Sequence, residues 1–383
     1  MNCNVCQAAM GAPLHASASE QGLTSLCELR EARTRVWLCP QCAHLRGEEL
    51  QDVEQYYESE YRILLDQDDE DQIYDTQGDR IVYRTDHQVS TLLAKLQLPQ
   101  DARFLDYGCA KASTPQRLLA TRPDLQVHLF DVSRMYQQYW NRFVAPQRQA
   151  VHETPADWAG RFDVVTSFFS LEHIVQPART AAHIASLLKP DGVLYGIVPD
   201  TFGNVADFVV VDHVNHFTAP SLHRLLADAG FRAIDIDNQA HRGALVFRAS
   251  RAGGPTPAPD AAPVKAAAQK LARYWDGMGH RIRAAESASG DAPAAIYGSG
   301  FYGAFIVSAL AQPARLRCVL DRSPFRHGKR LFDLPIVAPE ACDPAVRTLY
   351  VGLNPAIARA AMAQMPWVQE RGIRLVFLDE GAA

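Results

Sequence analysis

Apolar positions along this chain fall into two rhythms that alternate. Between residues 101 and 251, short β-type runs (RFLDY, QVHLF, DVVTSFF, GVLYGIV) are separated by helical segments (RLLATR, ARTAAHIASLL, SLHRLLADAG). Near-continuous apolar strands spaced by amphipathic helices predict a parallel sheet covered on both faces. FRAIDIDNQ and ALVFRAS then follow with no convincing helix between them, which predicts an antiparallel pair at one sheet edge. A second strand–helix alternation runs from AAIYGSG through RLRCVLD and RTLYVGL to GIRLVFLD. The expected fold class is α/β, with two such halves.

The rest of the chain divides around these halves. A length of 383 residues suits two to three domains. Residues 1–50 hold two C-x-x-C pairs, and 51–100 form an acidic, tyrosine-rich connector expected to be a helical lid. Residues 101–251 are the first α/β domain; 252–263, AGGPTPAPDAAP, are a Pro/Gly/Ala-rich linker; 264–383 are the second α/β domain. Lys plus Arg number 38 against 43 acids, a net charge of −5, which argues against a nucleic-acid coat. No run approaches the roughly 18 to 20 apolar residues of a membrane span. The start, MNCNVCQAAM, lacks the charged and apolar regions of a signal peptide, so a cytoplasmic setting is expected. The eight cysteines then read as reduced thiols or metal ligands. Monomer and homodimer are equally compatible with these features.

Four of those cysteines, Cys3, Cys6, Cys39 and Cys42, form the two pairs, with a hairpin-like insert of 32 residues between them. Both sulfurs of a C-x-x-C knuckle can face one ion, and four soft thiolates suit tetrahedral Zn²⁺. With every position filled by protein, the zinc would be structural. Cys27 has no paired spacing and is left out.

In the first half, RFLDYGCAKAS places Asp106, Gly108, Cys109, Ala110 and Lys111 at the end of the first strand, and LFDVS ends the second in Asp131. Small residues there admit a ligand to the backbone, and a strand-end acid can accept both hydroxyls of a ribose. Together with HETPADW, FDVVTSFFSLEHI and LLKPDGVLYGIVPD, this order resembles the class I S-adenosylmethionine-dependent methyltransferases, which have a Rossmann-like sheet. Their first motif looks like LDVGCGxG; here it reads LDYGCAKA, with two glycines replaced. The rival nicotinamide fingerprint G-x-G-x-x-G is absent from this half. The resemblance implies that Asp106, Gly108 and Ala110 line the methionine end of the cofactor and that Asp131 holds its ribose. It puts Asp157 or Trp158 beside the adenine, and Phe168 and Ser170 on the sulfonium side. Glu172 and His173 are read as bracing the following helix.

The segment VVVDHVNHFTAPSLHRLLADAGF carries Asp212, His213, Asn215 and His216 ahead of a helix that Thr218 or Ser221 could cap. With this segment the whole chain resembles the sugar-nucleotide C-methyltransferases of deoxysugar biosynthesis: a four-cysteine zinc domain, a methyltransferase domain and a C-terminal Rossmann-like domain. That family's motif reads approximately Tyr-His-Glu-His-Phe-Ser-Tyr-Phe-Ser. One register puts Asp212 on the glutamate and His213 on the second histidine, making His213 the general base with Asp212 as its orienter. The other makes His216 the base and puts Asn215 in place of the acid. Tyr83, Asn215 and His241, the last in HRGALVFRAS, are further expected acceptor contacts. The implied reaction removes the proton beside the ketone of a nucleotide-linked sugar, and the enolate takes the methyl group of S-adenosylmethionine. An O-methyltransferase of a sugar nucleotide or surface polysaccharide would need the same base and cofactor. A non-catalytic zinc-ribbon adaptor is the alternative of another class. In the C-terminal half, Gly298, Gly300 and Gly303 have true G-x-G-x-x-G spacing, and Asp321 stands at the ribose-acid position. There scaffolding, acceptor contact and dinucleotide binding all stay open.

Overall fold

A computed structural model of the chain describes residues 1–61, 71–77 and 80–379. They form two compact units that are not consecutive blocks of sequence. The first contains Met1–Pro13, Val36–Asp207 and Asp212–Ala267; the second contains Leu14–Arg35, Phe208–Val211 and Ala268–Ala383. The stretch expected as one N-terminal domain, 1–50, is thus divided between them. No helix among the described residues is long and apolar enough to cross a membrane.

The first unit opens with the cysteine knuckles and a short hairpin, β1 (Arg35–Leu38) and β2 (Leu45–Gly47). The connector is not purely helical. After a π-helical turn at Tyr56–Glu60 it forms a second hairpin, β3 (Ile73–Gln77) and β4 (Arg80–Tyr83), and then helix α1 (Arg84–Lys95). The β-branched and aromatic residues of RIVY carry the strand signal, but two short strands are masked by the acidic text around them. Residues 62–70 and 78–79 of the expected lid lie outside the described residues.

The sheet of this unit follows the sequence pattern closely. Its elements are β5 (Arg103–Tyr107), α2 (Ser113–Thr121), β6 (Gln126–Asp131), β7 (Gln149–Val151), β8 (Phe162–Phe168), α3 (Pro177–Leu187) and β9 (Leu188–Pro199). A two-residue strand, β10 (Asn215–His216), precedes α4 (Ala219–Asp228), β11 (Ala233–Asp237) and β12 (Ala244–Ser250). The strand order is β7-β6-β5-β8-β9-β12-β11, parallel except for β12 and β11. The antiparallel edge pair is present, and β7 is an addition too short to leave a pattern. Helix α4 starts from a capping box: the Thr218 hydroxyl accepts from Ser221 N–H at 3.3 Å, and Ser221 Oγ accepts from Thr218 N–H at 3.0 Å. One core cluster joins Cys3, Trp37 and Cys39 to Leu171, Phe217 and Leu222, so the knuckles pack into the sheet's own helical layer.

The second unit is built on a sheet of six strands. After the long helix α5 (Ala262–Ala288) come β13 (Ala294–Tyr297), α6 (Phe301–Ala309), β14 (Leu316–Leu320), β15 (Arg330–Leu331), β16 (Leu334–Val337), β17 (Thr348–Val351), α7 (Pro355–Ala363) and β18 (Arg374–Phe377). The order is β15-β16-β14-β13-β17-β18, parallel apart from the β15–β16 pair. Here the segment Leu14–Arg35 joins α5 through His15, whose Nδ1 lies 2.7 Å from Asp276 Oδ1.

Candidate active site

The four knuckle sulfurs converge. Cys3 Sγ is 3.7 Å from Cys42 Sγ and Cys6 Sγ is 3.5 Å from Cys39 Sγ, with all four within 4.8 Å of one another. Four sulfurs at about 2.3 Å from a tetrahedral zinc would stand about 3.8 Å apart, so the thiol set fits that ion. The two knuckles are copies of one backbone device. Gln7 N–H and Ala43 N–H return to the carbonyls of Cys3 and Cys39, with φ of 63° and 55°. Cys27 takes no part in this cluster.

At the carboxyl ends of β5, β6 and β8 lies a cavity of about 730 Å³. Asp106, Gly108, Ala110, Asp131, Phe168 and Ser170 all line it. Gly108 has φ +75°, and a Cβ there would stand 2.2 Å from Ser170 Oγ, so this approach needs glycine. Ala110 and Ala112, at the two replaced glycines, nevertheless adopt φ of 44° and 60°. A left-handed alanine costs about 1–2 kcal/mol. Ala110 is held in it from both sides: its N–H donates to Asp131 Oδ2 at 2.8 Å and its carbonyl accepts from Trp140 Nε1 at 2.7 Å. Asp131 Oδ1 accepts from Ser133 N–H at 3.0 Å, which fixes the carboxylate and leaves lone pairs for further donors. Burial raises the carboxyl of Asp131 and takes that of Asp106 to about 7, against the Thr166 hydroxyl bond at 2.7 Å. Trp158 does not reach the cavity; it is buried edge-on against Phe162 and His128. Asp157 is on the surface, 3.1 Å from Arg161. His152 and Glu153 line the cavity on that side instead.

The histidine segment is arranged differently from the expected dyad. His213 Nδ1 meets Asp207 Oδ1 at 2.6 Å, and His216 Nδ1 meets Asp207 Oδ2 at 3.2 Å. The acid that orients His213 is therefore Asp207, six residues back, and one carboxylate serves both histidines. Burial alone would lower the His213 pKa. The hydrogen bond and charge of Asp207 outweigh it, with Asp212 and Glu172 adding, and the pKa is raised to about 9. His213 is thus an imidazolium at neutral pH, not the neutral base expected. Asp212 turns elsewhere, with Oδ2 at 3.4 Å from the Tyr56 hydroxyl and 3.9 Å from His173 Nδ1. Asn215 is a structural tie: its amide donates to the carbonyls of Leu171 and Ile174 at 2.9 and 2.7 Å and accepts from Asn4 Nδ2 at 2.6 Å.

Neither His213 nor His216 is among the residues lining the cavity; His173 and Tyr57 are. The Tyr57 hydroxyl donates to the Asp212 carbonyl at 2.7 Å, so its oxygen receives Nδ1–H of His173 at 2.8 Å. That tautomer leaves Nε2 of His173 bare. Burial, and then the charge of His213 with ring centroids 4.7 Å apart, lowers the His173 pKa to about 4. Glu172 beside it is buried, with its pKa raised by that burial to about 8 and Oε2 unpartnered. Tyr83 ends β4 and His241 is buried against Tyr74 and Phe169; neither lines the cavity, whereas Arg84 does. The SLEH text was a usable signal for His173 and the tyrosine-rich connector for Tyr57. Nothing in the sequence singled out Arg84.

Comparison with known proteins bears on the first unit. Residues 79–236 match the profile of a family described as "Methyltransferase domain". Over 102 residues the chain is 34% identical to a ubiquinone biosynthesis O-methyltransferase of Xanthomonas axonopodis pv. citri, covering 25% of this chain and 43% of that protein. The protein of the same name from Aromatoleum aromaticum is 32% identical over 98 residues, covering 24% of this chain and 42% of its own length. The chain spans less than half the length of these relatives. A solved S-adenosylmethionine-dependent methyltransferase from Mesorhizobium loti is 15% identical, with a TM-score of 0.35, over 43% of this chain and 97% of that one. The first unit contains a methyltransferase domain.

Proposed function

We infer that the chain transfers a methyl group from S-adenosylmethionine to a nucleotide-linked keto-sugar, with His173 as the base that meets the acceptor. The observation that carries this is His173, its Nδ1 engaged by Tyr57, in the lining of the cavity that also holds Asp131, Gly108 and Ser170. When bound, the cofactor supplies an electrophilic methyl group. Asp131 would accept the ribose hydroxyls, and Asp106 and Gly108 would border the amino-acid end. His173 Nε2 would take the proton of the carbon beside the ketone; the bound donor would give up its methyl group to that carbon and leave as the neutral thioether. Tyr57 and the Asp212 carbonyl hold the ring and its tautomer, while Asp207 fixes His213 behind it. His213 is a positioning residue: burial first and then its charge hold the His173 pKa near 4, so turnover should follow a limb near pH 4. His213→Asn should move that limb up, while burial still holds it below the ordinary histidine range.

A keto-sugar acceptor is supported by the succession of a four-thiol cluster, a methyltransferase sheet and a second parallel-sheet unit along one chain. A hydroxyl acceptor is the second reading, favoured by the O-methyltransferase relatives. Calorimetry with S-adenosylhomocysteine tests the cofactor, and its failure would leave the adaptor reading. Deuterium exchange beside the ketone, before methyl transfer, separates carbon from oxygen chemistry; an O-methyltransferase shows none. The cysteine cluster is proposed to hold one structural zinc. Metal analysis under reducing conditions should give one equivalent, and Cys39→Ser should abolish it together with solubility.

A further inference from the structure

The turn that carries His173 is short, a 3₁₀ turn over Leu171–His173, and so brief a turn supplies few bonds of its own. Two asparagines hold it from outside. Asn215 Nδ2 donates to the carbonyls of Leu171 at 2.9 Å and Ile174 at 2.7 Å. Asn4 Nδ2 donates to the carbonyl of Val175 at 3.3 Å. The backbone before and after His173 is thus pinned, and His173, Ile174 and Val175 all line the cavity.

The same two side chains reach the cysteine cluster. Asn4 lies inside the first knuckle, between Cys3 and Cys6, and its Nδ2 also donates to Asn215 Oδ1 at 2.6 Å. His44, two residues past Cys42, meets the same oxygen through Nε2 at 3.3 Å. Strand β2, which follows the second knuckle, pairs with β10 so that Asn215 stands opposite Arg46. An amide side chain offers two donor hydrogens and two acceptor lone pairs. Buried Asn215 uses all four: two on carbonyls flanking His173, two on donors from the knuckles. What this tie places is the His173 ring, whose Nδ1 is 2.8 Å from the Tyr57 hydroxyl and 3.1 Å from the Asp212 carbonyl. Both contacts call for the proton on Nδ1. A displaced turn would stretch them, and an imidazole freed of such partners prefers its proton on Nε2.

We propose that Asn4 and Asn215 are positioning residues for His173, through which the four-cysteine cluster fixes the nitrogen that carries the proton of that imidazole. The catalytic meaning of this link rests on the reading of His173 as the base. The test is NMR of the full chain with ¹⁵N-labelled histidine at neutral pH, the His173 signals being assigned by their loss in His173→Gln. Wild type should show a single tautomer with the proton on Nδ1. In Asn4→Ala, with zinc content and S-adenosylhomocysteine binding as in wild type, part of the signal should shift to the Nε2–H tautomer. Asn215→Ala should shift it further, because two carbonyl ties are lost instead of one. If Asn215→Ala does not fold, Asn4→Ala decides by itself. His173 signals identical to wild type in folded Asn4→Ala would overturn the proposal. So would a shift that comes only with loss of zinc and of S-adenosylhomocysteine binding, the mark of general loosening. Failure of the base reading is seen separately, as near-normal turnover of His173→Gln, and leaves the NMR outcome unchanged.

Discussion

The loops after β5 and after β13 share one local plan: a buried strand, a turn of small residues, a helix, and an acid at the end of the next strand. In both, that acid caps the turn. Asp131 accepts from Ala110 N–H and Ser133 N–H, and Asp321 accepts from Ser299 N–H at 2.9 Å and Ser323 N–H at 2.8 Å. They differ in length and in what the small residues are for. Three residues, 298–300, separate strand from helix in the second unit, against five, 108–112, in the first. In the shorter turn the glycines bring backbones together: a Cβ on Gly303 would lie 2.0 Å from the Gly298 carbonyl oxygen. In the longer turn all five residues line the cavity, and alanines suffice at two left-handed positions. The complete glycine fingerprint thus belongs to strand–helix packing, and the depleted one borders the cavity. Glycine spacing reports how closely backbones approach, and a ligand is only one reason for that.

The largest expected effect would sharpen this contrast chemically. His173→Gln should lower turnover by roughly 10²–10⁴-fold while S-adenosylhomocysteine binding stays within twofold of wild type. Near-normal turnover would remove His173 as the base and return the role to the pair on Asp207. Next, the two strand-end acids should part company. Asp131→Ala should weaken S-adenosylhomocysteine binding about 10-fold or more, and Asp321→Ala should not change it measurably. A loss in the Asp321 variant would mean that the second fingerprint also serves the cofactor.

Two smaller effects concern stability. Gly303→Ala should cost about 3 kcal/mol in denaturant unfolding, since a rigid carbonyl blocks the new methyl. Ala112→Gly should be neutral or stabilising within about 1 kcal/mol, because relief of the left-handed strain is offset by a freer unfolded chain. A large loss there would show that the Ala112 methyl matters to packing. Finally, Glu172 keeps its proton to about 8 when folded but would lose it near 4.5 when unfolded. Its contribution is fully present below 4.5 and is lost as pH rises through 8; His213 acts in the same direction between 6.5 and about 9. Below about 6.5 buried histidines such as His173 act the opposite way, so stability should fall between pH 6.5 and 8, by less than about 1.4 kcal/mol per unit for each group. Glu172→Gln should flatten the lower part of that slope, and an unaltered slope would exclude Glu172 as its source.

Much of this molecule is determined by sequence alone, where one local cause suffices. Hydrophobic period set the order of strands and helices, the antiparallel edge and the second α/β half. Paired spacing brought four sulfurs together, because each knuckle is a local backbone turn. Asp131 and Gly108 were legible for the same reason, lying at strand ends whose position the period predicts. Tertiary structure decided the rest. Adjacency in sequence pointed to Asp212 as the partner of His213, but successive side chains in an extended segment diverge. The turn at Val205–Val209 brings Asp207 back to His213 instead. Asn215 is spent on carbonyls of the loop after β8, and Trp158 on the core. His173, Tyr57 and Arg84 come from three separate segments and meet on one cavity wall. Periodicity records which face of an element is buried; which polar groups meet there depends on how the elements pack, and that is written in no single stretch of the chain.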